Sequence, residues 1–294
     1  MAILIKSQAR EIHSRLPMRQ IEAFLLYTVL LVLALVFLAP FYWVVVSSIK
    51  ETSELQRIPP TWWPQTFTLQ HHARVWTPKF LRYFWNSFVY AGGTTLLAVM
   101  TSSLLGFILV KHPSKFGDML FGLLLATMMV PFATYVVPLH GLLIQIQETF
   151  PIRMVNTYQG MILPFVVYPF GIFLMRQAMF SVPDELIDAA KIDGASTLGT
   201  FWRVVVPLVQ SQIFALAIYS FIFRYDDLLW PLVVATNEKM YPVTVGLTEF
   251  IGFYFVEYGL MMAASSAAIA PVVIIYIFLQ RYILQGIAIT GLKG

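Results

Sequence analysis

Six stretches of this chain, residues 23–49, 86–110, 119–147, 154–175, 204–223 and 258–280, contain no Asp, Glu, Lys or Arg. Each matches or exceeds the ~20 residues that a helix needs to cross a hydrocarbon core of ~30 Å. Backbone groups facing hydrocarbon have no water to bond, so only helices or closed barrels span it. The runs lack the period-two alternation of barrel strands. The fold class expected is therefore all-α, a polytopic membrane protein with six transmembrane helices. Composition agrees, since 59% hydrophobic and 12% charged residues fall far from the ~25% charged that coats a soluble domain. The same figures exclude disorder. The chain has no cysteine, which removes disulfides, thiolate zinc ligands and thiol catalysis. Its basic residues are scattered, so no nucleic-acid surface is expected.

Six crossings put both termini on one side. Of the 19 basic residues, that side collects Lys6, Arg10, Arg15, Arg19, Lys111, Lys115, Arg176, Lys191, Arg203, Arg281 and Lys293; seven lie opposite, and Arg224 sits within a span. The positive-inside rule then predicts cytoplasmic termini. The first run is too long for a cleavable signal peptide and reads as a retained anchor. The organisation expected is a cytoplasmic tail at 1–22, a first transmembrane helix with an external loop at 23–85, a core of five further helices at 86–280, and a cytoplasmic tail at 281–294. In the external loop, Pro59, Pro60 and Pro64 exclude a long helix, and Trp62, Trp63, Trp76 and Trp85 suit either the membrane interface or a docking surface. Pro131, Pro138, Pro164, Pro169 and Pro271 permit kinks within spans, and the small-residue runs 91–95 and 263–268 allow close helix approach.

One segment departs from this pattern. Residues 181–196 carry four acids against one Lys on a side expected to be basic. Ser181 with Asp184 and Pro183 gives a helix start, and Gly194 a stop. Ala189, Ala190, Gly194 and Ala195 offer a nearly bare surface for another backbone, with Leu186 and Ile187 as apolar anchors. Ser196 or Thr197 can cap a second short helix that leads to Pro207, where the fifth span begins.

The spacing Asp188-Ala189-Ala190, three residues, Gly194, nine residues, then Val204-Val205-Val206-Pro207 resembles the cytoplasmic "EAA" loop of binding-protein-dependent ABC importer permeases. The surrounding Pro183, Glu185-Leu186, Ile192-Asp193-Gly194-Ala195-Ser196, Phe201-Trp202-Arg203 and Pro207-Leu208 are similar to the maltose-type carbohydrate branch. So are Gln280-Arg281-Tyr282, Gly286 and Gly291-Leu292-Lys293-Gly294 at the end. Asp188 stands where the signature has Glu, and Val204 and Val206 where it has Ile and Leu. The resemblance implies a permease subunit that works with a second homologous permease, two ATP-binding subunits and an extracytoplasmic solute-binding protein in a bacterial or archaeal cytoplasmic membrane. ATP and Mg would be held by the partners; no GxxxxGK[ST] loop occurs in this sequence, and no cofactor, metal or catalytic residue is expected on this chain. Glu185, Leu186, Asp188, Ala189, Ala190, Gly194 and Ala195 would form a coupling helix seated on the ATPase, with Gly291, Lys293 and Gly294 reaching toward the same interface.

For the solute pathway the candidates are Arg224, Asp226, Asp227 and Trp230. A charge near the bilayer centre costs at least ~2.5–3.5 kcal/mol, so these side chains should pair or face water. Arg224 lies roughly 26 Å beyond Pro207 along a straight helix. An Arg224–Asp227 bridge and contact with a polar solute both remain open, as do stacking on a sugar and an interfacial role for Trp230. His71, His72, His112 and His140 show no metal spacing. The function expected is ATP-driven import of a sugar or oligosaccharide, with a phosphorylated polyol such as glycerol 3-phosphate as the alternative cargo, which Arg224 would help to hold. An ion-coupled carrier is the alternative of another class, but it would place a carboxylate deep in a span, and no run has one.

Overall fold

The structure is a computed structural model that describes residues 2–251 and 256–291, with the side chains of 1–19, 279 and 281–291 outside the description. Its contacts define two units, Met1–Ala73 with Tyr258–Ser266, and Arg74–Glu257 with Ala267–Gly294.

In the first unit, helix α1 (Ala2–Ser47) contains the apolar segment Gln20–Ser47, long enough to cross a membrane. The stretch expected as a tail at 1–22 is helical backbone from Ala2. The loop after it is a folded module around two short helices, α2 (Thr52–Leu55) and α3 (Gln70–Val75). Lys50 is fully buried; its ammonium donates to the Thr61 carbonyl and lies 4.5 Å from the centroid of the Trp43 ring. The Glu54 carboxylate accepts from the Thr61 hydroxyl and from the amides of Gln65 and Thr66, bonds that hold its pKa below the usual range. His71 Nε2 bonds the Lys50 carbonyl at 3.0 Å, and His72 Nε2 bonds Ser48 Oγ at 3.0 Å. Trp62 and Trp63 stay exposed.

The second unit is built on α4 (Pro78–Lys111). Thr77 caps it by accepting from the Phe80 amide, with Pro78 in the first turn. The helix starts at Pro78 rather than at 86, so Trp85 belongs to it and not to the preceding loop. Three of the six apolar runs are bent pairs rather than straight helices. Helices α5 (Lys115–Thr127) and α6 (Phe132–Thr149) meet at 109°. Helix α7 (Tyr158–Ile162), extended by a 3-10 turn to Phe165, meets α8 (Pro169–Met179) at 45°. After α9 (Asp184–Ile192) and α10 (Thr197–Thr200), a π-turn at Phe201–Val205 and α11 (Val206–Leu208) lead into α12 (Gln210–Tyr225) across an 82° bend.

Proline explains the first two bends. At the second, the residue before a proline is pushed out of the helical region, and Tyr168, before Pro169, is extended at ψ 99°; at the first, Pro131 itself takes the non-helical cap position of α6, at ψ 136°. The third falls at Val209, two residues after Pro207, so the fifth span starts at Gln210 and the straight 26 Å path expected from Pro207 to Arg224 does not exist. Pro138 and Pro271 remain inside their helices. Short helices α13 (Leu229–Val234) and α14 (Val243–Leu247) precede α15 (Tyr258–Gly291).

Close approach occurs inside the small-residue run 91–95, where a Cβ on Gly93 would come within 2.8 Å of Ile162, and also between α4 and α8 at glycines outside those runs. A Cβ on Gly106 would come within 2.9 Å of the Met175 and Arg176 backbone, and one on Gly171 within 2.5 Å of Ser102 Oγ. With no room to repack, Gly106→Val should destabilise the chain by about 1–3 kcal/mol or more. Gly92, whose Cβ would meet nothing within 4 Å, should accept Val. Thermal unfolding of the two variants in detergent, followed by size-exclusion fluorescence, measures the difference.

Candidate functional site

Breaking the spans opens a cavity of about 1550 Å³ in the second unit. The α5–α6 bend contributes Thr127, Phe132 and Tyr135 to its wall, and the α7–α8 bend Phe165, Tyr168 and Phe170. From α12 come Gln212, Ala215, Tyr219, Ile222 and then Asp226, spaced by three and four residues and so on one helix face. Aromatic rings line the middle: Phe170 and Tyr219 have centroids 5.0 Å apart, Tyr168 and Phe170 5.9 Å, and Tyr219 and Phe223 stack at 6.2 Å with 12° between planes. Tyr219 and Phe223 are about half exposed, at 48% and 53%.

At one end of this wall stand the charges. Arg224 Nη1 lies 3.3 Å from Asp227 Oδ2, and both side chains are nearly buried. The guanidinium also rests 3.6 Å from the Phe165 ring centroid. Asp227 binds three more groups, accepting from Tyr90 Oη at 2.7 Å and the Trp230 amide at 3.3 Å through its carboxylate, and from Thr244 Oγ1 at 2.9 Å through its carbonyl. Asp226 is exposed to the cavity. Arg224, Asp226 and Asp227 are the charged residues of the wall, so it carries one negative charge in excess.

Trp230 corrects both readings of it from sequence. It is fully buried against Phe132 and Phe165, donates from Nε1 to the Met161 carbonyl, and lies outside the cavity wall, so it is neither a free stacking platform nor an interfacial side chain. The aromatic face of Tyr168, Phe170, Tyr219 and Phe223 was not anticipated; the three-and-four spacing of Gln212, Ala215, Tyr219 and Asp226 through an apolar run was its signal.

The acidic segment forms α9. Pro183 occupies its cap position, and Ser181 does not cap: the Ser181 hydroxyl donates back to the Ala178 carbonyl. Asp184 in the first turn bonds Lys111 Nζ at 2.7 Å, which holds its carboxyl below the usual range and keeps it ionised beside the helix N-terminus. The C-terminus closes as a Schellman motif. Gly194, at φ +80°, donates to the Lys191 carbonyl, and Ala195 donates to the Ala190 carbonyl. Gly194 is therefore required by the turn, since a Cβ there would meet open space. Ser196 caps α10 by accepting from the Gly199 amide.

Glu185, Leu186, Asp188 and Ala189 are exposed and Ala190 and Ala195 half-buried, so these residues face outward. Ile187, expected beside Leu186 as an anchor for a partner, is instead buried in this chain's own cluster with Phe107, Phe201 and Val205. Asp188 pairs with Lys191 at 2.9 Å. Of the terminal candidates, Gly291 ends α15, while Lys293 and Gly294 lie outside the described residues.

Comparison with known proteins places this geometry. Over 268 residues the chain is 31% identical to the arabinooligosaccharides transport system permease protein AraQ of Bacillus subtilis (strain 168), covering 90% of this chain and 93% of that one. It is 29% identical over 270 residues to the sn-glycerol-3-phosphate transport system permease protein UgpE of Escherichia coli O1:K1, covering 89% and 94%. Its fold is similar to a chain in the crystal structure of a bacterial ABC transporter involved in the import of the acidic polysaccharide alginate, with a TM-score of 0.77 at 19% identity over 90% of this chain and 96% of that one. Residues 98–289, which run from within α4 and include the cavity-lining residues and the whole of α9, match the binding-protein-dependent transport system inner membrane component family. With broken spans around a cavity and an exposed acidic helix between two of them, the chain belongs to that family of importer permeases, whose members span the inner membrane and leave ATP hydrolysis to separate subunits.

Proposed function

We propose that this chain is one transmembrane subunit of an ABC importer for a neutral sugar or oligosaccharide. It is read as working with a second, homologous permease, two ATP-binding subunits that hold ATP and Mg, and an extracytoplasmic solute-binding protein, with both termini cytoplasmic. The observation that carries the cargo assignment is the aromatic cavity wall. Ring faces such as Tyr219 and Phe223 match the apolar C–H faces of pyranose rings, and a few polar groups orient the solute. The arabinooligosaccharide permease relative supports this reading.

The glycerol 3-phosphate permease relative supports the alternative cargo, a phosphorylated polyol. Against it stands the state of Arg224. Its charge is matched by Asp227 and its face is covered by Phe165, so holding a phosphate would require breaking a nearly buried pair while exposed Asp226 repels the anion. Solute-stimulated ATP hydrolysis by the purified complex separates the two. Stimulation by neutral oligosaccharides is expected, and stimulation by polyol phosphates alone would move the assignment to the second class. Tyr219→Ala should lower uptake about two- to tenfold, as loss of a ring contact of ~0.5–1.5 kcal/mol implies.

In this reading α9 is the coupling helix, and its exposed face, Glu185, Leu186, Asp188 and Ala189, meets the ATPase subunit. The termini Gly291, Lys293 and Gly294 are assigned to the same side. Ala189→Arg adds bulk on an exposed face that this chain does not pack against. Membrane insertion should be unchanged, while uptake falls at least about tenfold, the scale of a blocked interface contact. Gly194→Asp should act in the same direction, adding strain at a positive φ. Normal uptake by Ala189→Arg would remove the coupling assignment.

A further inference from the structure

Between α8 and α9 the chain turns through residues 180–183, and this elbow sets the direction in which α9 leaves the membrane-spanning bundle. Its own backbone bonds, from Ser181 to Ala178 and from Val182 to Met179, tie it only to the last turn of α8. The bond across to another element comes from Lys111, the last residue of α4. Lys111 Nζ donates to the Val182 carbonyl at 2.7 Å and to Asp184 Oδ1 at 2.7 Å. One ammonium thus closes the end of α8 and the start of α9 together.

The two halves of this contact differ. The Asp184 side chain is 78% exposed, so that ion pair is of the water-screened kind that contributes little. The Lys111 side chain is only 8% exposed and Val182 is buried, so the ammonium–carbonyl bond lies where its loss leaves an unpaired group. Just inside it, Ile187 of α9 packs with Phe107, one helical turn before Lys111, and the Phe107 ring lies 5.4 Å from Phe201 beyond α10. Immediately before Phe107, Gly106 lets α4 touch the backbone of α8. The end of α4 therefore holds α8 and α9 as one rigid unit.

We propose that Lys111 is the positioning residue of the coupling step: it fixes the α8–α9 elbow to α4, so that displacement of α9 moves the cavity-lining spans instead of bending the elbow. The proposal rests on the assignment of α9 as the coupling helix. It assigns Lys111 no contact with solute or nucleotide.

The test uses the full complex of permeases, ATP-binding subunits and binding protein in proteoliposomes, reading solute transported per ATP hydrolysed. Lys111→Met should insert, retain its ATP-binding subunits and hydrolyse ATP as the unmodified complex does. Solute moved per ATP should fall about tenfold, the weight of one charge-assisted bond. Lys111→Arg, which keeps donors for both partners, should restore most of the ratio, and Asp184→Asn should lower it no more than about twofold because that half is exposed. An unchanged ratio in Lys111→Met, with Ala189→Arg uncoupled, overturns the bracing role and leaves the coupling helix standing. Normal transport in both variants overturns the coupling assignment as well. Loss of ATP-binding subunits from Lys111→Met reduces Lys111 to a packing residue and also overturns the proposal. Should Lys111→Met fail to accumulate, Lys111→Ala, which leaves room for a water to satisfy the Val182 carbonyl without tying it to α4, carries the same outcomes.

Discussion

Everything in the second unit follows from the requirement that no backbone amide or carbonyl face hydrocarbon unpaired. An unbroken helix meets it automatically. The chain breaks three of its runs and then closes the exposed groups one by one. Thr101 Oγ1 donates to the Val166 carbonyl at the α7–α8 break, and the Met129 and Val130 amides turn back to Ala126 and Thr127 at the α5–α6 break. Lys111 does the same for Val182 at the α8–α9 elbow, outside the bent spans. The breaks are therefore closed partly by turns of the backbone itself and partly by a side chain from another helix.

Charge is handled by the same rule. Asp227 could not be held nearly dry by Arg224 alone without leaving acceptor sites empty; Tyr90 and the Trp230 amide complete its shell. Removing any one partner of such a group costs more than the pair itself contributes, because the remaining charge stays buried. This carboxylate gathers α4, α12 and α13 at the end of the cavity wall, next to the buried ring of Trp230.

The parts legible in the sequence were those governed by charge and by fixed spacing. Six uncharged runs mark six apolar segments, and the Asp188-Ala189-Ala190 to Gly194 spacing marks a helix with a glycine stop. What could not be read was which side of each segment faces inward. Trp230 is as consistent with an interface as with a core until Phe132 and Phe165 are seen around it, and Ile187 next to Leu186 gives no sign that one is buried and the other exposed. The module around Lys50 and Glu54 was hidden for a different reason. Its proline-rich, tryptophan-rich text reads as a loop, while its order comes from hydrogen bonds between residues such as Glu54 and Gln65 that no period connects. Lys111 counted only as one more basic residue at a helix end, because its partners lie some seventy positions away.

The Schellman closure of α9 bears on how a partner could recognise it. A nine-residue helix is too short to hold itself together in water. Here it arrives already wound, its last carbonyls satisfied by Gly194 and Ala195 and its inner side pinned by Ile187. In the coupling role proposed for it, α9 would present its partner with a rigid knob, so their association would be a docking event rather than a folding event, with no ordering entropy spent.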